Sequence, residues 1–250
     1  MKDMECNKFM IIKNLNKKKI FKIFLGFIVI LVGSFMIYLC TGNYRADEES
    51  INYLNTTEIV NISKIKSGYF FDGPGEDTAI IFYPGAKVEY TAYAKLMYKI
   101  AENGKDCFLI KMPFNMAIFD VNKAQTIMNE YNYENWYISG HSMGGAMACM
   151  FACNHPENIK GVITLAAYPT KDLPSNIEYI SIYGSEDQVL NKENYNNAKQ
   201  YLPENSREYV IEGGNHAGFG NYGKQEGDGE AKITGEEQQE YVVNVLVRER

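Results

Sequence analysis

Trp136-Tyr137-Ile138-Ser139-Gly140-His141-Ser142-Met143-Gly144-Gly145 sets a short apolar run against a serine bracketed by glycines, and an alanine-rich stretch follows to Asn154. The run Trp136 to Ser139 predicts a buried strand, and Met143 to Asn154 a helix. Where a strand reverses into a helix within one tight turn, bulky residues two positions either side of the apex would clash. Gly140 and Gly144 remove them. The N-terminus of the helix then lies under Ser142 and favours negative charge there. With glycine at 21 of 250 positions, a bare G-x-S-x-G is weak evidence. Its placement between strand and helix gives it weight.

Outward from this turn, short apolar runs alternate with helical stretches. Val60 to Lys64 and Tyr69 to Asp72 read as leading strands. Ala79 to Tyr83, Asp106 to Lys111, Gly161 to Leu165, Glu178 to Tyr183 and Glu208 to Ile211 continue the series. Helices are expected at Tyr90 to Asn103, Phe119 to Tyr131, Lys192 to Tyr201 and Gly235 to Val247. Such alternation predicts an α/β fold, a mostly parallel sheet with helices on both faces, because each right-handed crossover buries its helix against the sheet. The polar, glycine-rich segment Gly213 to Gly229 is too long for a simple turn and is expected to fold over one end of the sheet.

A serine hydroxyl is a poor nucleophile until a base takes its proton, and histidine has the pKa for that at neutral pH. Of the three histidines, His141 belongs to the turn itself and His155 precedes Pro156 in an expected surface turn, which leaves His216 after the last strand. The imidazole needs an acceptor to fix its tautomer. Asp187, just past the strand Glu178 to Tyr183, supplies one, and Asp172, after the strand ending at Leu165, is the alternative. An oxyanion needs backbone donors: Met143, next after the serine, and Ala86 in the turn Pro84-Gly85-Ala86-Lys87 are the candidates. Lys87 and Glu89 are read as solvated charges with no assigned role. The histidines form no spaced pair with one another or with a cysteine cluster, so no metal site is expected.

With a net charge of −6, 46% hydrophobic and 22% charged residues, the chain offers no footprint for nucleic acid and has the balance of a folded domain. Ile23 to Gly42 carries no charged side chain and is long enough to cross a bilayer as one helix. Seven lysines from Lys2 to Lys22 precede it, while Asp47, Glu48 and Glu49 follow, which puts the N-terminus in the cytoplasm and the domain outside. The expected organisation is a basic tail over 1–22, a single-pass anchor over 23–42, a polar linker over 43–56 and one domain over 57–250. The competing reading is a cleaved signal peptide and a secreted domain, with a lipoprotein through Cys40 disfavoured by bulky Leu39 before it. Cys149 and Cys153, four apart on one helix face, bridge poorly and are read as small hydrophobes.

These motifs together resemble the α/β-hydrolase superfamily, and more narrowly its small dienelactone-hydrolase-like branch, from about Ser67 to the C-terminus. The matching segments are Tyr83-Pro84-Gly85-Ala86-Lys87-Val88-Glu89, the serine turn, Tyr183-Gly184-Ser185-Glu186-Asp187, and Asn215-His216-Ala217-Gly218-Phe219-Gly220 with Gly227-Asp228-Gly229 behind it. The resemblance implies a serine hydrolase acting on a small ester or related acyl bond, with Ser142, Asp187 and His216 as triad and no cofactor. Dienelactone hydrolase itself uses a cysteine where Ser142 stands, so its substrate is not carried over. About a dozen residues separate the strands ending at Leu165 and starting at Glu178, too few for a cap domain. An open pocket is expected, lidded by the loops Ala86 to Tyr93 and Gly213 to Gly229 and lined by Tyr90, Tyr93, Phe114 and Phe219. An acyltransferase with the same triad and a catalytically silent binding protein on the same fold are the other readings.

Overall fold

The computed structural model describes residues 2–248, with side chains described from Lys17 on. The chain divides into two units, one ending at Gly42 and one beginning at Asn43. Helix α1 (Lys2–Cys40) makes up the first, and its stretch Lys17–Cys40 is long and apolar enough to cross a membrane, a property that signal sequences share. Lys2, Lys8 and Lys13, among the lysines counted above for the tail, lie outside the described side chains.

The second unit is built on one eight-stranded sheet in the order β1-β2-β4-β3-β5-β6-β7-β8. The strands are β1 (Asn61–Ile65), β2 (Gly68–Asp72), β3 (Thr78–Tyr83), β4 (Asp106–Ile110), β5 (Asn135–His141), β6 (Gly161–Leu165), β7 (Glu178–Gly184) and β8 (Ser206–Ile211). β1, β2 and β4 pair antiparallel in that order, and every other pairing is parallel. Burial on both faces of β3, β4 and β6 explains why these strands read as largely apolar runs. On β3, Ile80 and Phe82 pack beneath α3 (Ala94–Glu102) and α7 (Gly235–Arg248), while Ala79, Ile81 and Tyr83 join the opposite core with α4 (Lys123–Met128) and α5 (Met143–Asn154). α6 (Lys192–Ala198) connects β7 to β8. Residues 166–177, between β6 and β7, hold no helix or strand, so there is no cap domain.

Two expectations are corrected. The segment 43–56, read as a tether, is packed on the domain and carries α2 (Glu48–Asn52), capped by Asp47, whose carboxylate accepts from the Ser50 amide at 2.8 Å. The Tyr44 amide donates to the Lys87 carbonyl at 2.8 Å, and buried Ser50 donates its hydroxyl to the Thr91 carbonyl at 2.7 Å. The segment looked like a linker because its partners are polar groups some forty residues away. The helix expected over Phe119 to Tyr131 is shorter, since α4 spans only Lys123–Met128 after a separate turn at Ala117–Phe119. The buried Tyr83 phenol donates to the Val121 carbonyl and accepts from the Ala124 amide, both at 2.8 Å. It occupies groups that a continuous helix would pair internally.

Candidate active site

Ser142 sits between β5 and α5 at φ 53° and ψ −124°, a backbone conformation that L-residues rarely adopt. Its amide donates to the Leu165 carbonyl of β6 at 2.9 Å, which fixes the turn against the neighbouring strand. A side chain at Gly140 would run into the Gly144 backbone, and one at Gly144 into the carbonyls of Tyr83 and Pro84. The second contact places the turn after β3 directly against the first residues of α5.

Asp187 and His216 come from the carboxyl ends of β7 and β8. Gly184, which ends β7, lies so close to Gly214 that a side chain there would strike its carbonyl, and the Glu186 amide donates to that carbonyl at 2.9 Å. These contacts hold the two loops together. Asp187 Oδ1 accepts from the amides of Val189 at 2.9 Å and Leu190 at 2.8 Å, leaving Oδ2 to meet His216 Nδ1 at 2.8 Å. A carboxylate can only accept, so Nδ1 carries the proton and Nε2 presents a lone pair. Among the described residues, buried Nε2 has no hydrogen-bond partner, Ser142 Oγ included. Asp172 is exposed, and its carbonyl takes the Cys153 thiol at 3.3 Å, so of the two candidate acids Asp187 is the one beside His216.

Asp228, quoted in the sequence without a role, underlies this arrangement. Its Oδ1 accepts from the His216 amide at 3.2 Å and the Gly229 amide at 2.8 Å, and its Oδ2 from the Ala217 amide at 2.8 Å. One carboxylate thereby satisfies consecutive amides of the turn that carries the imidazole. Its position between two glycines, twelve residues after His216, was the available signal.

His141 has a structural place. Its Nδ1 lies 2.8 Å from the Tyr93 hydroxyl, which accepts from the Gly85 amide at 3.2 Å. The His141 ring packs 4.5 Å from that of His216 and 5.5 Å from Phe219. Burial, and then the neighbouring His216, hold its pKa well below the ordinary histidine value, so this imidazole stays neutral. Tyr93 and Phe219, expected in the pocket wall, are fully buried and serve this packing. Tyr90 stacks on Tyr69, and Phe114 is exposed.

Ser142, Met143 and His216 line a cavity of about 300 Å³ with Ala146, Ala166, Ala167, Tyr168, Thr170, Val189, Leu190 and Asn191. Its walls are mostly the loops after β6 and β7; of the expected lids, Ala86 to Tyr93 contributes no lining residue and Gly213 to Gly229 contributes His216. A larger cleft of about 600 Å³ lies around Thr78, Asn135, Lys160 and Arg207, at the amino ends of the strands, and holds none of the elbow residues. As the first residue of α5, Met143 has an amide with no acceptor within the helix. Ala86 does not line the cavity; it sits in a turn closed by the Val88 amide on the Gly85 carbonyl at 3.2 Å, with Lys87 at φ 59°.

The chain belongs to the alpha/beta hydrolase family, whose model matches residues 79–240. No curated protein matches it. Among solved structures, a CIB-like hydrolase from Thermoplasma acidophilum is 17% identical, with a TM-score of 0.50 over 76% of this chain and 99% of its own. A dienelactone hydrolase from Anabaena variabilis is 13% identical, with a TM-score of 0.54 over 76% and 96%. Alpha/beta hydrolase domain-containing protein 10 from mouse is 13% identical, with a TM-score of 0.52 over 77% and 95%. At such identities the likeness is one of fold.

Proposed function

We propose that this alpha/beta hydrolase is a serine hydrolase that cleaves a carboxylic ester or related acyl bond through an acyl-enzyme on Ser142. The observation that carries the reading is the His216 Nδ1 to Asp187 Oδ2 hydrogen bond of 2.8 Å, with Nε2 unpartnered among the described residues and His216 lining one cavity with Ser142. In this reading the Ser142 hydroxyl meets Nε2 in the substrate complex, since catalytic hydrogen bonds often tighten only once substrate is bound.

In this reading His216 Nε2 takes the Ser142 proton as Oγ attacks the substrate carbonyl carbon. The oxyanion so formed is held by the amide of Met143, the first residue of α5. The imidazolium returns its proton to the leaving alkoxide, the carbon–oxygen bond breaks, and an acyl group remains on Oγ. Water, deprotonated by His216, then releases the acid and restores the hydroxyl. No step calls for a cofactor. Asp187 stabilises the imidazolium in both halves.

The apolar stretch of α1 supports a single-pass anchor, with the lysine-rich N-terminus cytoplasmic and the domain outside. Cleavage as a signal peptide is the competing outcome, and carbonate extraction of membranes with mass measurement of the mature N-terminus separates the two.

Labelling of the full chain in detergent with a fluorophosphonate probe tests the chemistry. Wild-type protein is expected to label, and Ser142→Ala and His216→Ala are expected not to. A folded wild-type chain that neither labels nor hydrolyses short-chain esters would sink the proposal.

A further inference from the structure

Phe114, Ile118 and Phe119 are 44%, 51% and 45% exposed, a group of large apolar side chains on the turns that follow β4. Phe114 and Phe119 pack edge to face, with ring centroids 5.8 Å apart, so the patch is continuous and not a scatter of isolated side chains. The backbone holds it outward at a cost. Phe114 and Asn115 both lie at φ 53°, a conformation rare for a bulky side chain such as Phe114 and retained there only where the surroundings enforce it. Those surroundings are the Lys87 amide, which donates to the Asn115 carbonyl at 2.8 Å, and the Asn115 side chain, which donates to Asn43 Oδ1 at 3.2 Å.

The last contact locates the patch. Asn43 is the residue after the apolar stretch ending at Gly42, and one to three residues of chain span at most about 10 Å. The Asn115 turn therefore lies one side-chain contact from Asn43, the residue at which the second unit begins. The patch also stands at the same end of the sheet as the Ser142 cavity. β4 and β6 are three strand spacings apart, about 14 Å.

We propose that Phe114, Ile118 and Phe119 dock on the lipid surface of the membrane that α1 enters. This seats the mouth of the Ser142 cavity at the bilayer–water boundary, and its acyl substrate is drawn from amphiphiles residing there. The inference rests on the anchoring reading above. Apolar side chains on a strained turn suit partial insertion among headgroups, where the chain is already tethered and no further entropy of approach is lost.

The test uses the full chain reconstituted into phosphatidylcholine vesicles containing bromine-labelled acyl chains, with tryptophan placed by Phe119→Trp or Ile118→Trp. Ile59→Trp is the control, because Ile59 is 53% exposed but precedes β1 at the opposite end of the sheet. The native Trp136 is buried and common to all variants, so its emission is subtracted. The brominated lipid is expected to quench at least half of the added emission in Phe119→Trp and Ile118→Trp, and under a tenth in Ile59→Trp. Equal quenching in all three, in protein that floats with the vesicles, overturns the docking proposal and leaves the anchor standing. A chain that fails to float overturns the anchor, and the docking proposal with it.

Discussion

Replacing Asp228 tests whether the turn bearing His216 is organised from below. In Asp228→Ala the amides of His216 and Ala217 lose their acceptor, and both residues are buried. An unsatisfied buried amide costs about 1–3 kcal/mol, so the turn loses about 2–6 kcal/mol of local order before it rearranges. Asp228→Asn keeps one oxygen for the His216 and Gly229 amides but sets an NH₂ group against the Ala217 amide, which leaves about 1–3 kcal/mol. Displacement of the imidazole by an ångström is worth about a hundredfold in rate. The expected order of fluorophosphonate labelling rate, and of kcat on a soluble ester, is therefore wild type, then Asn, then Ala. The alanine variant should fall about a hundredfold, with little change in KM. Far-ultraviolet circular dichroism should show that the sheet persists. An alanine variant that labels within twofold of wild type would refute the argument, since His216 would then hold its place without the carboxylate.

Further outcomes follow from other contacts. His141 is neutral in the fold while an unfolded histidine titrates near 6.5, so unfolding takes up a proton and each pH unit below 6.5 should lower stability by about 1.4 kcal/mol from this residue. His141→Gln should flatten that part of the pH dependence in urea titrations; an unchanged slope would contradict it. Gly144→Ala sets a helix-propensity gain of about 1 kcal/mol against an overpacking cost of about 1–3 kcal/mol or more from the Tyr83 and Pro84 carbonyls. Calorimetry should show a lower Tm, and a raised Tm would mean that the β3 turn yields freely. Burial pushes the thiols of Cys107 and Cys149 far up, so iodoacetamide at pH 8 should spare both in the native chain and label them in urea, as read by peptide mass spectrometry.

The elbow was legible because its constraint is local: two glycines around a serine are demanded by a turn that spans only a few residues. Strands β3 to β7 were legible for a related reason, since burial makes each a short and mostly apolar run, with Ser139, Thr164 and Ser181 as buried polar exceptions. What escaped depends on distant partners. Nothing near Ser50 or Tyr44 announces the Thr91 and Lys87 carbonyls, so a packed segment read as a linker. The Tyr83 phenol that interrupts the expected helix before α4 lies some forty residues upstream of it. The aromatic side chains assigned to the pocket were misplaced because composition cannot say which face of a turn they occupy. Tyr93 instead carries the hydrogen bonds between Gly85 and His141. Asp228 was visible as a residue but not as an acceptor, because its three amides belong to loops whose shape only the fold supplies.

The left-handed backbone at Ser142 has a further consequence. Glycine would occupy φ 53°, ψ −124° without the penalty of about 1–3 kcal/mol that a β-carbon incurs there. The fold would thus be more stable with the whole side chain deleted to glycine, and random drift under selection for stability alone would remove the serine. Under the proposed mechanism, stability and reactivity therefore pull in opposite directions at this residue. Variants chosen only for heat resistance should lose the serine before they lose the glycines beside it.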